Sequence, residues 1–282
     1  MNRIATLLTC FVVLCAVAGV ALAEGKPTAF NFATIDFPGA NATFPFGINP
    51  QGDVVGNYVA GRFIHGFLLS EGTFTTIDFP GATATFARGI NPQGDIAGFY
   101  VTGRINHGFL LQQGAFTTID FPGAMITLAF GINPRGDIVG WYIDSNGINH
   151  GFLLQDGAFT TIDFPGATFT RVFGINPRGD IVGGYMDSGG QPHAFLVQQG
   201  AFTTVEPPGS SSSFALGINP QGDVAGSYVS SGIQHGFLFK GGAFITIDPP
   251  DSTATTDTAI NPEADIVGFY VGGGVTHGFV AR

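Results

Sequence analysis

Short apolar stretches alternate along the chain with turns rich in asparagine, proline and glycine. The stretch from Asp95 to Val101 is apolar on both of its alternating faces, which is typical of a strand buried between two layers. It follows Asn91-Pro92-Gln93-Gly94, whose composition favours a type I turn with a positive φ at Gly94. Residues 86–121 are therefore predicted to form four strands: a from Phe86 to Asn91, b from Asp95 to Val101, c from His107 to Gln112 and d from Ala115 to Phe121.

This pattern repeats along the chain with a period of 42 or 43 residues, most clearly in the motif Gly-Ile-Asn-Pro. The isoleucines of the motif are Ile48, Ile90, Ile132, Ile175, Ile218 and Ile260, and the last copy has Ala259 in place of the glycine. The 6 histidines and 6 tyrosines of the chain keep the same period. Four short strands in a unit of about 42 residues are typical of a propeller blade. The sequence therefore predicts an all-β, six-bladed β-propeller with four antiparallel strands in each blade.

The two ends of the chain bear on the choice between a propeller and a solenoid. Phe30 to Phe37 has the pattern of a single d strand, and the chain stops at the end of a c strand. The N-terminal strand is therefore expected to complete the last blade and close the ring. A solenoid, the alternative fold, needs capping units, and no copy has that character. We expect residues 24–282 to form a single domain.

The first residues have the pattern of a secretory signal. Arg3 precedes an uncharged apolar stretch, and Ala21-Leu22-Ala23 provides the small residues of a cleavage site. We predict a signal peptide at residues 1–23. An uncleaved membrane anchor is the alternative, because the stretch is about long enough to span a bilayer. The expected location is secreted, extracellular or on the cell surface, with the periplasm as a further option, and no membrane insertion follows cleavage.

Charge and cysteine content narrow the classes of partner. The chain has 10 Lys and Arg against 20 Asp and Glu, so nucleic acid is not expected as a partner. Both cysteines, Cys10 and Cys15, precede the predicted cleavage site, and the mature chain is therefore expected to rely on burial without disulfides. We expect a monomer that needs no cofactor.

The segment Gly-Ile-Asn-Pro-x-Gly-Asp-Ile-Val-Gly-x-Tyr, followed by His-Gly-Phe-Leu-Leu, resembles the bacterial extracellular repeat family named for His-Ala-Phe (HAF). The literal triplet occurs once, at His193-Ala194-Phe195, and the resemblance covers nearly the whole mature chain. The tryptophan that often follows the triplet in the family is missing, and Asp-Phe-Pro-Gly-Ala replaces a Gly-Thr-Leu-Gly-Gly-like end. The resemblance implies an exported, propeller-like protein and offers no catalytic residues.

The repeated polar residues have structural interpretations that we favour over metal binding. Six equivalent histidines on c strands stand too far apart to converge on one ion, and we expect each to bond the backbone of its hairpin. The aspartate after each turn glycine lacks the carboxylate cluster of a calcium loop, and we expect it to accept backbone N–H bonds across the turn. The tyrosines are expected to pack between blades.

A ligand site must break the sixfold symmetry, so candidate residues are those that differ between copies. They fall on the face formed by the b–c loops and the d–a crossings, where plain loop drift is the alternative explanation. The candidate ligand-binding residues are Arg62, Arg88, Arg104, Trp141, Asp144, Arg171, Asp187 and Asp257. We expect Arg88 and Arg62 to hold an anionic or hydroxylated group at the channel mouth.

Recognised enzyme motifs such as Gly-x-Ser-x-Gly and His-Glu-x-x-His are not found. We therefore expect a non-enzymatic module that binds an extracellular glycan or protein, with no catalytic residues assigned. Two alternatives remain open. One is a carbohydrate-active hydrolase or lyase that uses Asp257, Asp144 or Asp187, and the other is a purely structural envelope protein.

Overall fold

The computed structural model describes residues 30–282, and the regular secondary structure of this part consists entirely of β-strands. The predicted signal peptide lies outside the described residues. No helix capable of crossing a membrane occurs within the described range. The all-β prediction is confirmed.

The strands form four-stranded antiparallel units, which we number 1 to 6 by their a strands. The a strands are β2 (Ala42–Ile48), β6 (Ala84–Ile90), β10 (Ile126–Ile132), β14 (Phe169–Ile175), β18 (Ser212–Ile218) and β22 (Ala254–Ile260). The b strands are β3 (Val54–Ala60), β7 (Ile96–Thr102), β11 (Ile138–Ile143), β15 (Ile181–Met186), β19 (Val224–Ser230) and β23 (Ile266–Gly272). The c strands are β4 (Phe63–Ser70), β8 (Ile105–Gln112), β12 (Asn149–Gln155), β16 (Pro192–Gln198), β20 (Ile233–Lys240) and β24 (Val275–Ala281). The d strands are β5 (Thr73–Ile77), β9 (Ala115–Ile119), β13 (Ala158–Ile162), β17 (Ala201–Thr204), β21 (Ala243–Ile247) and, for unit 6, β1 (Phe32–Ile35).

The pairing of these strands is that of a β-propeller built from four-stranded antiparallel sheets. Units 3 to 6 are separate sheets, whereas units 1 and 2 form one eight-stranded sheet. This differs from the expected six separate blades, because one parallel residue pair, Ile64 with Ala84, joins β4 to β6. In unit 6, β1 pairs antiparallel with β24, from Phe32–Ala281 to Ile35–Gly278. The predicted pairing of the N-terminal strand with the last unit is therefore present.

The hydrophobic core lies between neighbouring units. One cluster joins Val55 and Ile77 of unit 1 to Ile96 and Phe109 of unit 2, and the other clusters combine adjacent units in the same way. The strands that face these clusters are apolar on both sides, as expected for sheets sandwiched between sheets. Stability therefore comes mainly from contacts between units.

The repeated tyrosines belong to this inter-unit core, as predicted. The Tyr100 ring stacks on Phe79, which enters from the end of unit 1, at 3.6 Å between centroids and 5° between planes. The Tyr100 hydroxyl bonds the Thr118 hydroxyl of its own d strand at 3.0 Å. The same stack and the same hydroxyl bond occur at Tyr58, Tyr142 and Tyr185, so these tyrosines tie their own units together and pack against the preceding ones.

The repeated histidines have a different partner from the one expected. The Nδ1 atom of His107 lies 2.9 Å from Oδ2 of Asp120, at the end of the d strand, and its ring stacks beside Tyr100. The other five units have the same His–carboxylate pair, with Glu206 as the acid in unit 4. The prediction of a backbone bond is therefore wrong, because each histidine ring pairs with the carboxylate that follows the d strand.

The turn aspartates also differ in detail from the prediction. The Asn91 side-chain oxygen accepts the Asp95 backbone N–H at 2.9 Å, and the Asp95 carboxylate accepts the Asn91 side-chain amide at 3.0 Å. The carboxylate therefore bonds a side chain across the turn, where a backbone N–H was expected. Gly94 has the predicted positive φ, at 84°. Among the residues that the structure describes, no three His, Cys, Asp or Glu side chains form a group that could hold a metal ion.

Candidate ligand-binding site

A β-bulge interrupts each a strand and determines what faces the centre of the molecule. In unit 2 the ladder runs through Ala87–Gly98 and resumes at Gly89–Ala97, which leaves Arg88 without a ladder partner. A bulge re-aims the side chain of the extra residue, and the equivalent residue of each unit lines a central cavity of about 250 Å³. These residues are Phe46, Arg88, Phe130, Phe173, Leu216 and Thr258.

The wall of this central cavity is uncharged except at one position. Phenylalanine, leucine, isoleucine, alanine and glycine make up nearly all of the lining, and Arg88 is the one charged residue in it. The Thr258 hydroxyl donates to the backbone carbonyls of Pro45 and Val267, at 2.9 Å in each case. Arg88 is therefore the side chain of the lining that retains free hydrogen-bond donors.

Aromatic rings surround the Arg88 guanidinium. Its Cζ atom lies 3.6 Å from the centroid of the Phe46 ring, and 5.1 to 5.4 Å from those of Phe86, Phe99 and Phe130. Cation–π attraction of this kind favours a guanidinium over an aromatic face. The stack fixes the position of Arg88 on the cavity wall.

Stacking leaves the hydrogen-bonding capacity of Arg88 unused. The Nε and Nη1 atoms are buried and have no hydrogen-bond partner. Burial lowers the pKa of Arg88 to about 9, so the guanidinium remains protonated at neutral pH. The site therefore contains a positive charge and unsatisfied donors in an apolar wall, an arrangement that an anion would complete.

Trp141 and Arg171 form a second cationic and aromatic group beside the first. The Arg171 Cζ atom lies 4.5 Å from the centroid of the Trp141 ring, and its Nε donates to Asn149 at 3.1 Å. Trp141 packs with Phe99 and Phe130 in one cluster, which links it to the surroundings of Arg88. Burial lowers the pKa of Arg171. The structure thus brings Arg88, Trp141 and Arg171 close to a common cluster.

Four of the other candidate residues lie on peripheral b–c loops, outside the lining of the central cavity. Arg62 is exposed and lies over Phe63 at 5.1 Å, and Arg104 is exposed in a turn with a φ of 92°. Asp144 accepts the backbone N–H of Asn146 and of Ile148, each at 2.9 Å. The expected partnership of Arg62 with Arg88 at the channel mouth is not present, because Arg62 belongs to a loop at the rim.

Asp187 repeats the role of Asp144 in the next unit. Its carboxylate accepts the backbone N–H groups of Gly189 and Gln191 at 2.8 Å each, and the hydrogen bond from Gln191 contributes most to lowering its pKa. Carboxylates that close a loop in this way have a structural role. The interpretation of Asp144 and Asp187 as ligand-binding residues is therefore not supported by their contacts.

Asp257 is placed between units 5 and 6, away from the channel mouth. It is fully buried, neither carboxylate oxygen has a hydrogen-bond partner, and its side chain lies against Gly236 of unit 5. Burial, and then the negative charge of Asp248, raise the pKa of Asp257 well above its usual value. A carboxyl sealed between two units cannot contact a ligand in the cavity, so its burial does not support Asp257 as a ligand-binding residue.

The lining residues Phe46, Phe130 and Phe173 were not among the predicted site residues. They precede Gly-Ile-Asn in their copies, so Arg88 is the charged exception within an apolar column of the repeat. The sequence could therefore have indicated the cavity through all the residues at this position of the repeat taken together, and not through Arg88 alone.

No family model matches the chain, and no curated protein sequence matches it. Among solved structures, the chain is similar to a streptogramin B lyase, with a TM-score of 0.50 and 11% identity, over 90% of this chain and 98% of that one. It is also similar to TolB from Acinetobacter baumannii, with a TM-score of 0.54 and 14% identity, over 90% of this chain and 56% of that one. A third neighbour is the Aleuria aurantia lectin in complex with Fucα1-6GlcNAc, with a TM-score of 0.52 and 13% identity, over 84% and 92% of the two chains. Likeness at these identities shows the fold alone.

Proposed function

We propose that this chain is a non-enzymatic binding module, a six-bladed β-propeller that recognises an extracellular glycan or protein. In this proposal the signal peptide of residues 1–23 directs export, and the mature chain acts in the extracellular space, at the cell surface or in the periplasm. The repeats belong with the HAF-type repeats that they resemble. The ligand contacts the central cavity and the cluster around Arg88 and Trp141.

The observation that carries the proposal is the unsatisfied guanidinium of Arg88 on the wall of the cavity. A buried charge without a hydrogen-bonding partner costs free energy, and nothing in the repeat requires arginine, since the other units have Phe, Leu or Thr there. An apolar cavity with a few convergent polar groups is the usual form of a small-ligand site. A bound ligand that supplies an acceptor offsets this cost.

The contacts of the candidate carboxylates favour a binding function over glycoside hydrolysis. Glycoside hydrolysis in most families needs two carboxyl groups that flank one bond. Asp144 and Asp187 are engaged with backbone N–H groups, and Asp257 is sealed between units. We therefore assign no catalytic residue and place the hydrolase or lyase alternative second.

One of the structural neighbours supports the class of ligand. It is a fucose-specific lectin from Aleuria aurantia. The fold accommodates glycan recognition in that lectin, although fold alone does not carry function. In this proposal the glycan follows from that likeness, and the cavity beside Arg88 marks the place where the ligand binds.

The test is a thermal-shift screen of the mature chain against neutral and acidic glycans and candidate extracellular proteins, followed by titration calorimetry of each positive. A ligand that binds only the folded state raises the unfolding temperature. We expect a shift that Arg88→Met removes, whereas Arg62→Met, which changes an exposed rim arginine, leaves it intact. A shift that survives Arg88→Met places the ligand elsewhere, and release of a product from any glycan overturns the non-enzymatic assignment.

A further inference from the structure

We infer that the central cavity selects a carboxylate borne on an apolar body, with Arg88 as the group that binds the carboxylate. This inference rests on the proposed binding function and specifies the part of the ligand that enters the cavity. Two sources share this chemistry: a free aromatic or short aliphatic acid, and the C-terminal residue of a protein with an apolar side chain.

The negative charge that we infer for the ligand follows from the geometry of the Arg88 guanidinium. Phe46 covers one face of the Arg88 group at 3.6 Å. The N–H donors of a guanidinium lie in its plane and not on its face, so the stack holds the group in place without occupying its donors. Nε and Nη1 remain buried and unpartnered. Nη2 lies beside both of these atoms in the guanidinium plane and forms a fork of parallel donors with either Nε or Nη1, which matches the two oxygens of a carboxylate.

The apolar body follows from what the cavity lacks. Apart from Arg88, the side chains of the lining are hydrocarbon or aromatic, and the one hydroxyl, on Thr258, already donates to two carbonyls. A sugar ring that entered would bury several hydroxyl groups with few partners, each at a cost in free energy. A phenyl ring or a short alkyl chain has no such groups and would pack against Phe130, Phe173 and Leu216. One anionic end and one apolar end therefore match the wall.

The size of the cavity limits the ligand to a small group. Its volume of about 250 Å³ is below the range of about 300–1,000 Å³ that is usual for drug-sized ligands. A single ring or short chain with its carboxylate is the appropriate size, and a longer ligand enters only by its end.

The experiment is titration calorimetry of the mature chain with phenylacetate and with phenylacetamide, its uncharged counterpart. We expect phenylacetate to bind and phenylacetamide to bind about ten- to a hundredfold more weakly, which is the range for losing one charged hydrogen-bonded pair. Arg88→Met should remove this difference between the two probes, and Arg62→Met should preserve it. Because the pKa of Arg88 is lowered to about 9, the affinity for phenylacetate should fall above that pH, whereas the affinity for phenylacetamide should not.

A peptide ending in phenylalanine and its C-terminally amidated form distinguish the two sources. Preference for the free-carboxylate peptide over phenylacetate identifies a protein C-terminus, and binding of phenylacetate alone identifies a small acid. Equal binding of phenylacetate and phenylacetamide, or unchanged phenylacetate binding by Arg88→Met, overturns the inference. Tight binding of glucuronate without phenylacetate also overturns it but leaves the proposed function standing. If no probe, glycan or protein binds, both fail.

Discussion

Replacing Asp257 with alanine should stabilise the protein. The Asp257 carboxyl is fully buried with both oxygens unpartnered, whereas the equivalent residues of units 2, 3 and 5 are Ala87, Ala129 and Ala215, each completely buried. Alanine therefore already fits the spacing between adjacent units at this position. The substitution removes the unsatisfied polar group, and the space that it vacates is the space that these units close with a methyl group.

The magnitude follows from the burial. An unsatisfied buried polar group costs about 1–3 kcal/mol, and in a domain of this size each kcal/mol shifts Tm by about 2–4 °C. Asp257→Ala should therefore raise Tm by about 2–12 °C at neutral pH. Ala129→Asp is the matched control, since it installs the same carboxyl between units 2 and 3, and it should lower Tm.

The pH dependence of the stability gained in Asp257→Ala is an independent test. Because burial raises the pKa of Asp257 in the folded protein, the unfolded chain releases this proton at a lower pH than the folded one. From about pH 4 up to the folded pKa, this carboxyl therefore lowers the stability of the native protein by about 1.36 kcal/mol per pH unit. The advantage of Asp257→Ala should grow as the pH rises through that window, in urea unfolding followed by tryptophan fluorescence. An advantage that shrinks with rising pH, or a lower Tm for Asp257→Ala, would refute the reasoning.

Three further predictions concern the scaffold. Burial alone would lower the pKa of His193, but its interactions with Glu206 and Asp187 raise it. The stability that protonated His193 gains from these two carboxylates is therefore present at low pH and is lost as the pH rises through the folded pKa. The unfolding free energy lost in His193→Ala should accordingly be larger at pH 6 than at pH 8.5 in urea titrations. Deleting residues 30–37 removes β1 and uncovers Phe279, which is 1% exposed; Tm should fall by several degrees, and a synthetic 30–37 peptide should restore it, whereas an unchanged Tm would contradict the pairing with β24. In Gly98→Ala the added methyl would overlap the Phe86 carbonyl oxygen. We expect the free energy of unfolding to fall by about 1–3 kcal/mol in differential scanning calorimetry, and an unchanged value would contradict the close approach of the two strands.

The strand pattern was predictable because the same order of apolar stretches and turns occurs in all six copies of the repeat. The predicted strands of residues 86–121 differ from β6 to β9 by only a few residues at each end. The periodicity of histidine and aspartate was visible as well. Their pairing was not, because His107 lies on a c strand and Asp120 follows a d strand, and the two meet only once the c–d hairpin has formed.

The bulge explains why the candidate site was only partly predicted. Simple alternation places every second side chain of a strand on the same face, but the bulge between Asp257 and Ala259 interrupts that alternation. Thr258 therefore lines the cavity, and Asp257 turns to the neighbouring unit. Asp144 was misassigned for another reason, since Asp-x-Asn-Gly is itself a turn signature and its loop position alone suggested exposure to a ligand.

The contact that buries Asp257 against Gly236 has a counterpart at every junction, and it constrains how such a chain can grow by duplication. At the junction of units 3 and 4, Gly151 faces Val172, and a methyl group on Gly151 would come within 2.6 Å of the valine. Unit 4 instead carries Ala194, which meets Ala215 of unit 5 in the core between them. A tandem copy of unit 4 would set Ala194 against Val172, two side chains that cannot share that space. The copies look interchangeable in their sequence, yet unit 4 fits only a successor with a small residue at this position, so packing restricts the order in which the copies can follow one another.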